Sequence, residues 1–168
     1  QEQRDYKTLQ SALAGTGIKL IVVASSHWST YRLPFLGDHN TQMVQNIPYT
    51  LLRSLYARAR LVVIPLNNVN YAAGANSVLE SMAMGKPTIV SRTPGIQEYL
   101  IDTETGVFVP PGDPERLQEK ILTLWDDKPT QKWLGENARR IVEEQMNLQV
   151  YVDRVTHIME MAMQEADH

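Results

Sequence analysis

The chain has 168 residues, of which 43% are hydrophobic and 21% charged, and a formal net charge of -3. That length and balance suit one globular domain and exclude a disordered or low-complexity chain. The negative charge argues against a general affinity for nucleic acid, and no apolar run approaches the roughly 18 residues of a membrane span. Cysteine is absent, which argues against a structural zinc site and fits an intracellular protein. No signal-peptide pattern is read. The chain begins with Gln1, and the expectation is a piece of something longer.

Residues 4 to 14 read as a helix, with Tyr6, Leu9 and Leu13 on one face and Gly15 and Gly17 ending it. Lys19 to Ala24 reads as a buried strand. Helix, glycine turn and strand form the second half of a βαβ unit, so the strand that should precede Arg4 is expected to be missing or the sheet rearranged. Residues 25 to 42 give no clear element. Met43 to Ile47 reads as a short strand. Pro48 suits the first turn of a helix whose Leu51, Leu52, Leu55 and Ala59 face the core. Arg53, Arg58 and Arg60 read as solvated surface.

Leu61 to Ile64 is a β-branched run that suits a buried parallel strand. Tyr71 to Ala75 is a small-residue loop opening onto a helix from Asn76 to Met84, which Gly85 stops. Thr88 to Val90 is a strand, followed by a loop from Arg92 to Gly95 and a short helix around Ile96 to Ile101. Val107 to Val109 is a strand. Asp113 is the expected N-cap and Pro114 the first residue of the next helix. Helices over residues 130 to 145 and 148 to 163 follow, with Met159, Met161 and Met163 read as packing residues. Five strands separated mostly by helices imply an α/β fold, a Rossmann-like, mostly parallel sheet with helices on both faces.

In such a sheet, loops at the carboxyl ends of strands line the ligand crevice. Two of those loops are Tyr71 to Ala75 and Arg92 to Gly95. The amides of Ala75, Asn76, Ser77 and Val78 could hold a diphosphate at the helix start. Glu80 has two readings. With Ser77 as N-cap it completes a capping box; facing the ligand, it accepts hydrogen bonds from a pair of sugar hydroxyls. Gly74 and Gly95 permit close backbone approach. His27 is a candidate ligand-facing residue, with a surface loop as the alternative. No phosphate-loop, dinucleotide or GxSxG pattern occurs, and the four histidines have no metal-ligand spacing. No metal and no cofactor is expected, and no protein nucleophile is found.

Residues 74 to 90, GANSVLESMAMGKPTIV, resemble the signature of the sugar-donor domain in retaining glycosyltransferases of the GT-B fold, group 1 type. Residues 93 to 98, TPGIQE, residues 105 to 113, TGVFVPPGD, residues 52 to 65, LRSLYARARLVVIP, and residues 4 to 9, RDYKTL, are similar to neighbouring blocks in the same order. The resemblance covers nearly the whole chain. It implies that residues 1 to 168 are a single nucleotide-sugar-binding domain, the C-terminal half of the fold. The N-terminal acceptor domain, and the first strand, would be absent. The substrate would be a uridine or guanosine diphosphate sugar, transferred to an unknown acceptor with retention, as by a hexosyltransferase. This piece alone would be inactive. The resemblance also implies that Glu80 binds the ribose, that Ala75 to Val78 approach the diphosphate and sugar, that Asn46 and Ile47 read the base edge, and that Thr93, Pro94 and Gly95 line the crevice floor. Ala72 stands where the family has a first glutamate, which puts catalysis in question. Asn67, Asn68 and Asn70 are nearby polar candidates for sugar contacts, and Arg32 is a candidate for neutralising the diphosphate. Catalytic residues stay unassigned. A non-catalytic nucleotide-sugar module and a sugar-nucleotide epimerase domain are the alternatives. The expected location is the cytoplasm, with peripheral attachment at the inner face of a membrane an open option, and no nucleic-acid partner is expected.

Overall fold

In the computed structural model, the described residues are 3–24 and 40–166. The order is α1 (Tyr6–Leu13), β1 (Leu20–Ala24), β2 (Thr41–Gln45), α2 (Tyr49–Arg58), β3 (Val62–Ile64), α3 (Ala75–Ala83), β4 (Thr88–Ser91), β5 (Val107–Val109), α4 (Pro114–Asp126), α5 (Lys128–Gln145) and α6 (Leu148–Ala166). Among the described residues, every strand pairing is parallel. The strands form two sheets, β1-β2 and β3-β4-β5. This is the mostly parallel, helix-covered architecture that the sequence predicts.

The strands of the larger sheet are short and apolar on both faces because helices cover both. Val63, Ile89 and Val107 stand side by side in register, as do Ile64, Val90 and Phe108. Alternation sends the two rows to opposite faces. Ile64, Val90 and Phe108 pack with Val78 and Met82 of α3 and Ala138 and Ile141 of α5. Ile89 and Val107 pack with Leu9 and Ala12 of α1 and Leu117, Ile121 and Leu124 of α4. Each such fully buried aliphatic side chain contributes about 1.5–3 kcal/mol relative to exposure. The α3–β4 seam also holds a satisfied polar pair. Thr88 Oγ1 donates to Ser81 Oγ at 2.8 Å, and Ser81 Oγ donates to the Val78 carbonyl at 2.8 Å.

Caps fix the helix starts. The Asp5, Asp113 and Asp127 carboxylates accept from the Thr8, Arg116 and Thr130 amides. Gly85, at φ 63°, turns the chain out of α3, and α5 passes so close that a Cβ on Gly135 would lie 2.2 Å from the Gly85 carbonyl oxygen.

Several expectations need correction. The strand expected at Met43 to Ile47 is shifted to Thr41–Gln45, leaving Asn46 and Ile47 in the connection to α2. No residue of α2 is buried, and Leu51 is exposed, so its leucine stripe does not face a closed core. β1 is only partly buried, with Ile21 exposed. Ile96 to Ile101 forms successive turns, held by Ile96 N–H to the Thr93 carbonyl and Tyr99 N–H to the Ile96 carbonyl, not a helix. Arg60 is not simply solvated: its guanidinium lies 4.6 Å from the Trp125 ring centre. Along α6, the apolar stripe Leu148, Tyr151, Val152, Val155, Ile158 and Met159 is exposed, as are Met161 and Met163. The helical spacing is real, but no described element covers it.

Candidate functional site

The site lies at the carboxyl ends of β3 and β4, where the chain leaves the sheet and enters α3. Leu66 continues β3, fully buried, with its N–H donating to Ser91 Oγ at 2.9 Å. This bond ties the ends of β3 and β4 together. Beyond it, Asn67, Asn68 and Asn70 are exposed on the loop, as are Tyr71 and Ala72. That loop rests on the second one. A Cβ on Gly95 would sit 2.1 Å from the Tyr71 carbonyl carbon and 2.5 Å from the Ala72 nitrogen, so only glycine fits between them. Pro94 is exposed beside it. Thr93 lies beneath, fully buried, with no hydrogen-bond partner for its Oγ1.

Gly74 is the N-cap of α3, in the left-handed region at φ 85°, and no side chain caps the helix. The capping box built on Ser77 is therefore absent. Ala75 N–H donates to the Ala72 carbonyl and Val78 N–H to the Gly74 carbonyl. The four amides expected to be open narrow to those of Asn76 and Ser77. Above them stands Arg4, whose Nη2 donates to Ser77 Oγ at 2.7 Å. A Cβ on Gly74 would lie 2.6 Å from Arg4 Nη1. The glycine thus serves two ends, the positive φ and the close approach of the guanidinium. A cation at a helix N-terminus opposes the helix dipole. Together with open amides it makes a strongly anion-attracting corner.

One turn further on, Glu80 shares the Ser77 stripe of α3. It accepts from the Tyr49 hydroxyl at 3.3 Å and the Tyr56 hydroxyl at 3.1 Å. The two phenols are seven residues apart on α2 and so lie on one face. The Glu80 charge raises the pKa of the exposed Tyr49 phenol above its ordinary value, ahead of smaller contributions. Burial, followed by the Glu80 charge, pushes that of Tyr56 up strongly. Both phenols stay protonated and donating through neutral pH. Through Tyr49, the start of α2 comes up to Glu80, with Asn46 and Ile47 just ahead of it. Asn46 is exposed and held at φ 52°, an uncommon conformation for a residue other than glycine.

Two basic groups flank β4, one beside these loops and one at the opposite end of the strand. Arg92, at the end of β4, pairs with Asp102 and lies 4.5 Å from the Phe108 ring centre. Lys86 donates to the Ala57 and Ala59 carbonyls at 2.7 and 3.2 Å, closing the end of α2, and burial lowers its pKa. His27 and Arg32 lie outside the described residues. Among the described residues, no group of three or more acidic or histidine side chains could hold a metal.

Sequence reasoning missed Arg4, Tyr49 and Tyr56 as site residues. The i,i+7 tyrosines on one helix face were a usable signal. Nothing local to Arg4 could place it beside a residue 73 positions away.

The family model described as glycosyl transferases group 1 matches residues 34–141, more than half of the chain. The chain belongs to that family. A D-inositol 3-phosphate glycosyltransferase from Corynebacterium diphtheriae is 31% identical over 100 residues, 60% of this chain and 23% of that protein. The fold is similar to sucrose-phosphate synthase from Thermosynechococcus elongatus, with TM-score 0.82 and 25% identity over 98% of this chain and 44% of that one. It is also similar to Anabaena HepE solved in complex with UDP-glucose, at TM-score 0.64 and 17% identity over 73% of this chain and 33% of that one. The chain spans less than half the length of these relatives. The family and fold therefore agree with the sequence resemblance.

Proposed function

We propose that this chain binds the nucleotide-sugar substrate of a glycosyltransferase. The observation that carries the reading is the stripe of α3 that holds Ser77, bonded to Arg4, one turn before Glu80. A cationic corner and a carboxylate on one helix face match a diphosphate and the ribose hydroxyls beside it. Arg4 and the amides of Asn76 and Ser77 would hold the diphosphate. Glu80 would exchange its phenol partners for ribose hydroxyls. Asn46 and Ile47 would present backbone groups to the base, and Asn70, Pro94 and Gly95 would border the sugar. The complex of HepE with UDP-glucose, a protein of the same fold, supports a uridine diphosphate sugar as the first ligand to try.

In the intact protein, charge builds on the leaving diphosphate as the sugar-phosphate bond loosens. Preorganised amides and a guanidinium stabilise that charge without reorganising. The leaving phosphate takes the acceptor proton on the same face, which gives retention without a protein nucleophile. The acceptor would be held by an N-terminal domain of the same protein, and the exposed stripe of α6 supports a further body packing there. No described helix is long and apolar enough to cross a membrane. The reading places the parent in the cytoplasm, with peripheral attachment at a membrane left to experiment.

Ala72 favours one second reading. The loop residue on Gly95 carries no carboxylate to meet the transferred sugar, which suits a module that binds nucleotide sugars without transferring them. Titration calorimetry with UDP and GDP tests the common part of both readings, and saturable binding of one is expected. A folded sample that binds neither would remove both. Transfer by the intact protein to any acceptor would remove the second.

A further inference from the structure

Glu80 holds two phenols, and they are not equivalent. The Tyr49 hydroxyl donates to Oε1 at 3.3 Å and the Tyr56 hydroxyl to Oε2 at 3.1 Å. Both bonds are longer than is usual between oxygens, and the Tyr49 bond is the longer. The first bond is exposed and the second partly buried. Tyr49 is itself 62% exposed, whereas Tyr56 is half-buried. Tyr49 opens α2. Tyr56 stands two turns on, in the wall of a cavity that Arg4 and Ser77 also line. Burial and the Glu80 charge raise its pKa, and the Arg4 charge opposes them, so the guanidinium lies close by. One phenol meets Glu80 from the solvent side and the other from the side of the cationic corner.

Exchanging a hydrogen bond costs little where water can replace the lost partner and much where it cannot. A ligand arriving from solvent meets the Tyr49 phenol before it meets Oε1. A ribose hydroxyl that takes Oε1 releases the Tyr49 hydroxyl into water, which solvates it. One that displaced Tyr56 from Oε2 would strand a half-buried phenol. Of the residues that line the same wall, Arg4 carries only donors, and Leu52 and Leu55 are apolar. Oε2 need not be vacated in any case. A carboxylate oxygen has two acceptor positions, so Oε2 can keep Tyr56 and accept one hydroxyl besides.

We propose that Tyr49 is the exchangeable occupant of the ribose seat on Glu80 and that Tyr56 is a fixed positioning residue for the same carboxylate. The inference rests on the nucleotide-sugar reading and narrows its exchange to one of the two phenols. In the empty chain the Tyr49 hydroxyl holds Oε1 as a built-in competitor. When a nucleotide arrives, one ribose hydroxyl displaces it, and the neighbouring hydroxyl takes the second acceptor position of Oε2. Tyr56 stays on Oε2 throughout and keeps the carboxylate from turning about its last bond. A ligand with no ring hydroxyl, such as inorganic diphosphate, does not compete with Tyr49. Two tyrosines on one helix face then act in opposite directions: Tyr49 weakens nucleotide binding and Tyr56 strengthens it.

Titration calorimetry with UDP and GDP, on the chain and on variants that each lose one hydroxyl, reads these signs directly. Tyr49→Phe removes only the competing hydroxyl and should tighten nucleotide binding by about threefold or more, the size of one neutral hydrogen bond. Tyr56→Phe should weaken it by about tenfold. In a Glu80→Gln background both effects should shrink, because they act through the carboxylate. A Tyr56 that only props α2 would lose as much affinity in either background. Inorganic diphosphate should bind the chain and Tyr49→Phe alike. Thermal melting checks that each variant is folded. The proposal is overturned by a Tyr49→Phe variant that binds nucleotide no more tightly than the unaltered chain, or that gains as much for inorganic diphosphate. It is also overturned by a Tyr56→Phe variant that loses no affinity, or loses as much beside Glu80→Gln. An unaltered, folded chain that binds neither nucleotide overturns the nucleotide-sugar reading itself, and this inference with it.

Discussion

At the scale of the residue, Glu80 is held between two phenols on α2 and so lies across the gap between α2 and α3. A carboxylate without a partner would be free to cap or wander; this one is oriented before any ligand arrives. Glu80→Gln keeps the shape but removes the charge. It should weaken UDP or GDP binding by about tenfold or more, in line with the loss of charged hydrogen bonds, and calorimetry reads it. If the melting temperature falls while affinity holds, the carboxylate is structural. Tyr56 adds a pH dependence. Its folded pKa is raised by burial and by Glu80 above the ordinary value of 10.0. The phenol's contribution to stability is therefore intact below pH 10 and declines as pH rises above it, because the unfolded phenol ionises first. Tyr56→Phe should flatten the alkaline limb of a stability–pH curve. Arg4→Gln should raise the dissociation constant of diphosphates more than that of a nucleoside, which lacks the phosphate charge.

At the scale of the element, helix placement rests on close backbone contacts and caps. Gly135 lets α5 pass against the turn that ends α3. Gly135→Ala places a methyl on a backbone oxygen, so one helix must move. A loss of about 1–3 kcal/mol is expected from urea unfolding. α4 starts at Asp113, whose carboxylate accepts from Arg116 N–H at 2.9 Å. Asp113→Ala should cost about 1 kcal/mol. The Asp113 cap reads directly from the sequence as Asp followed by a proline-led helix. By contrast, the Ser77 capping box met the sequence pattern and failed. Gly74, at positive φ, had already begun the helix three residues earlier than a cap at Ser77 allows. The short helix expected after the Thr93-Pro94-Gly95 loop failed for a related reason. Its hydrogen bonds stop at i to i+3 turns, since the segment spends its apolar residues Ile96 and Leu100 on the core beneath.

At the scale of the whole molecule, α6 carries a complete amphipathic stripe with nothing described upon it. Leu148 is 76% exposed and Ile158 60%. In this chain alone, Met159→Lys should leave unfolding free energy within about 0.5 kcal/mol, as for other surface changes. In the intact protein the same change should destabilise wherever the stripe is covered. The purified chain should show no sugar transfer in a product assay with UDP- or GDP-sugars, since the acceptor half of the site is expected elsewhere. Detectable transfer would overturn that division of labour.

The sequence by itself determined the class of fold and the order of its elements. Short runs rich in β-branched residues and bounded by turn residues suit parallel strands in a helix-covered sheet, and Val62–Ile64 and Thr88–Ser91 are such strands, the second buried throughout. It also marked the helix that bears Glu80. Only the tertiary structure decided which groups meet that helix. Arg4 reaches Ser77 and Tyr56 reaches Glu80 across 73 and 24 residues of chain, and no local propensity encodes a contact at that separation. The burial of β1 and α2 was decided the same way. Both are apolar enough for a core. Burial needs a neighbour as well as an apolar face, and among the described residues a cavity of about 420 Å³ lies beside β1 and β3.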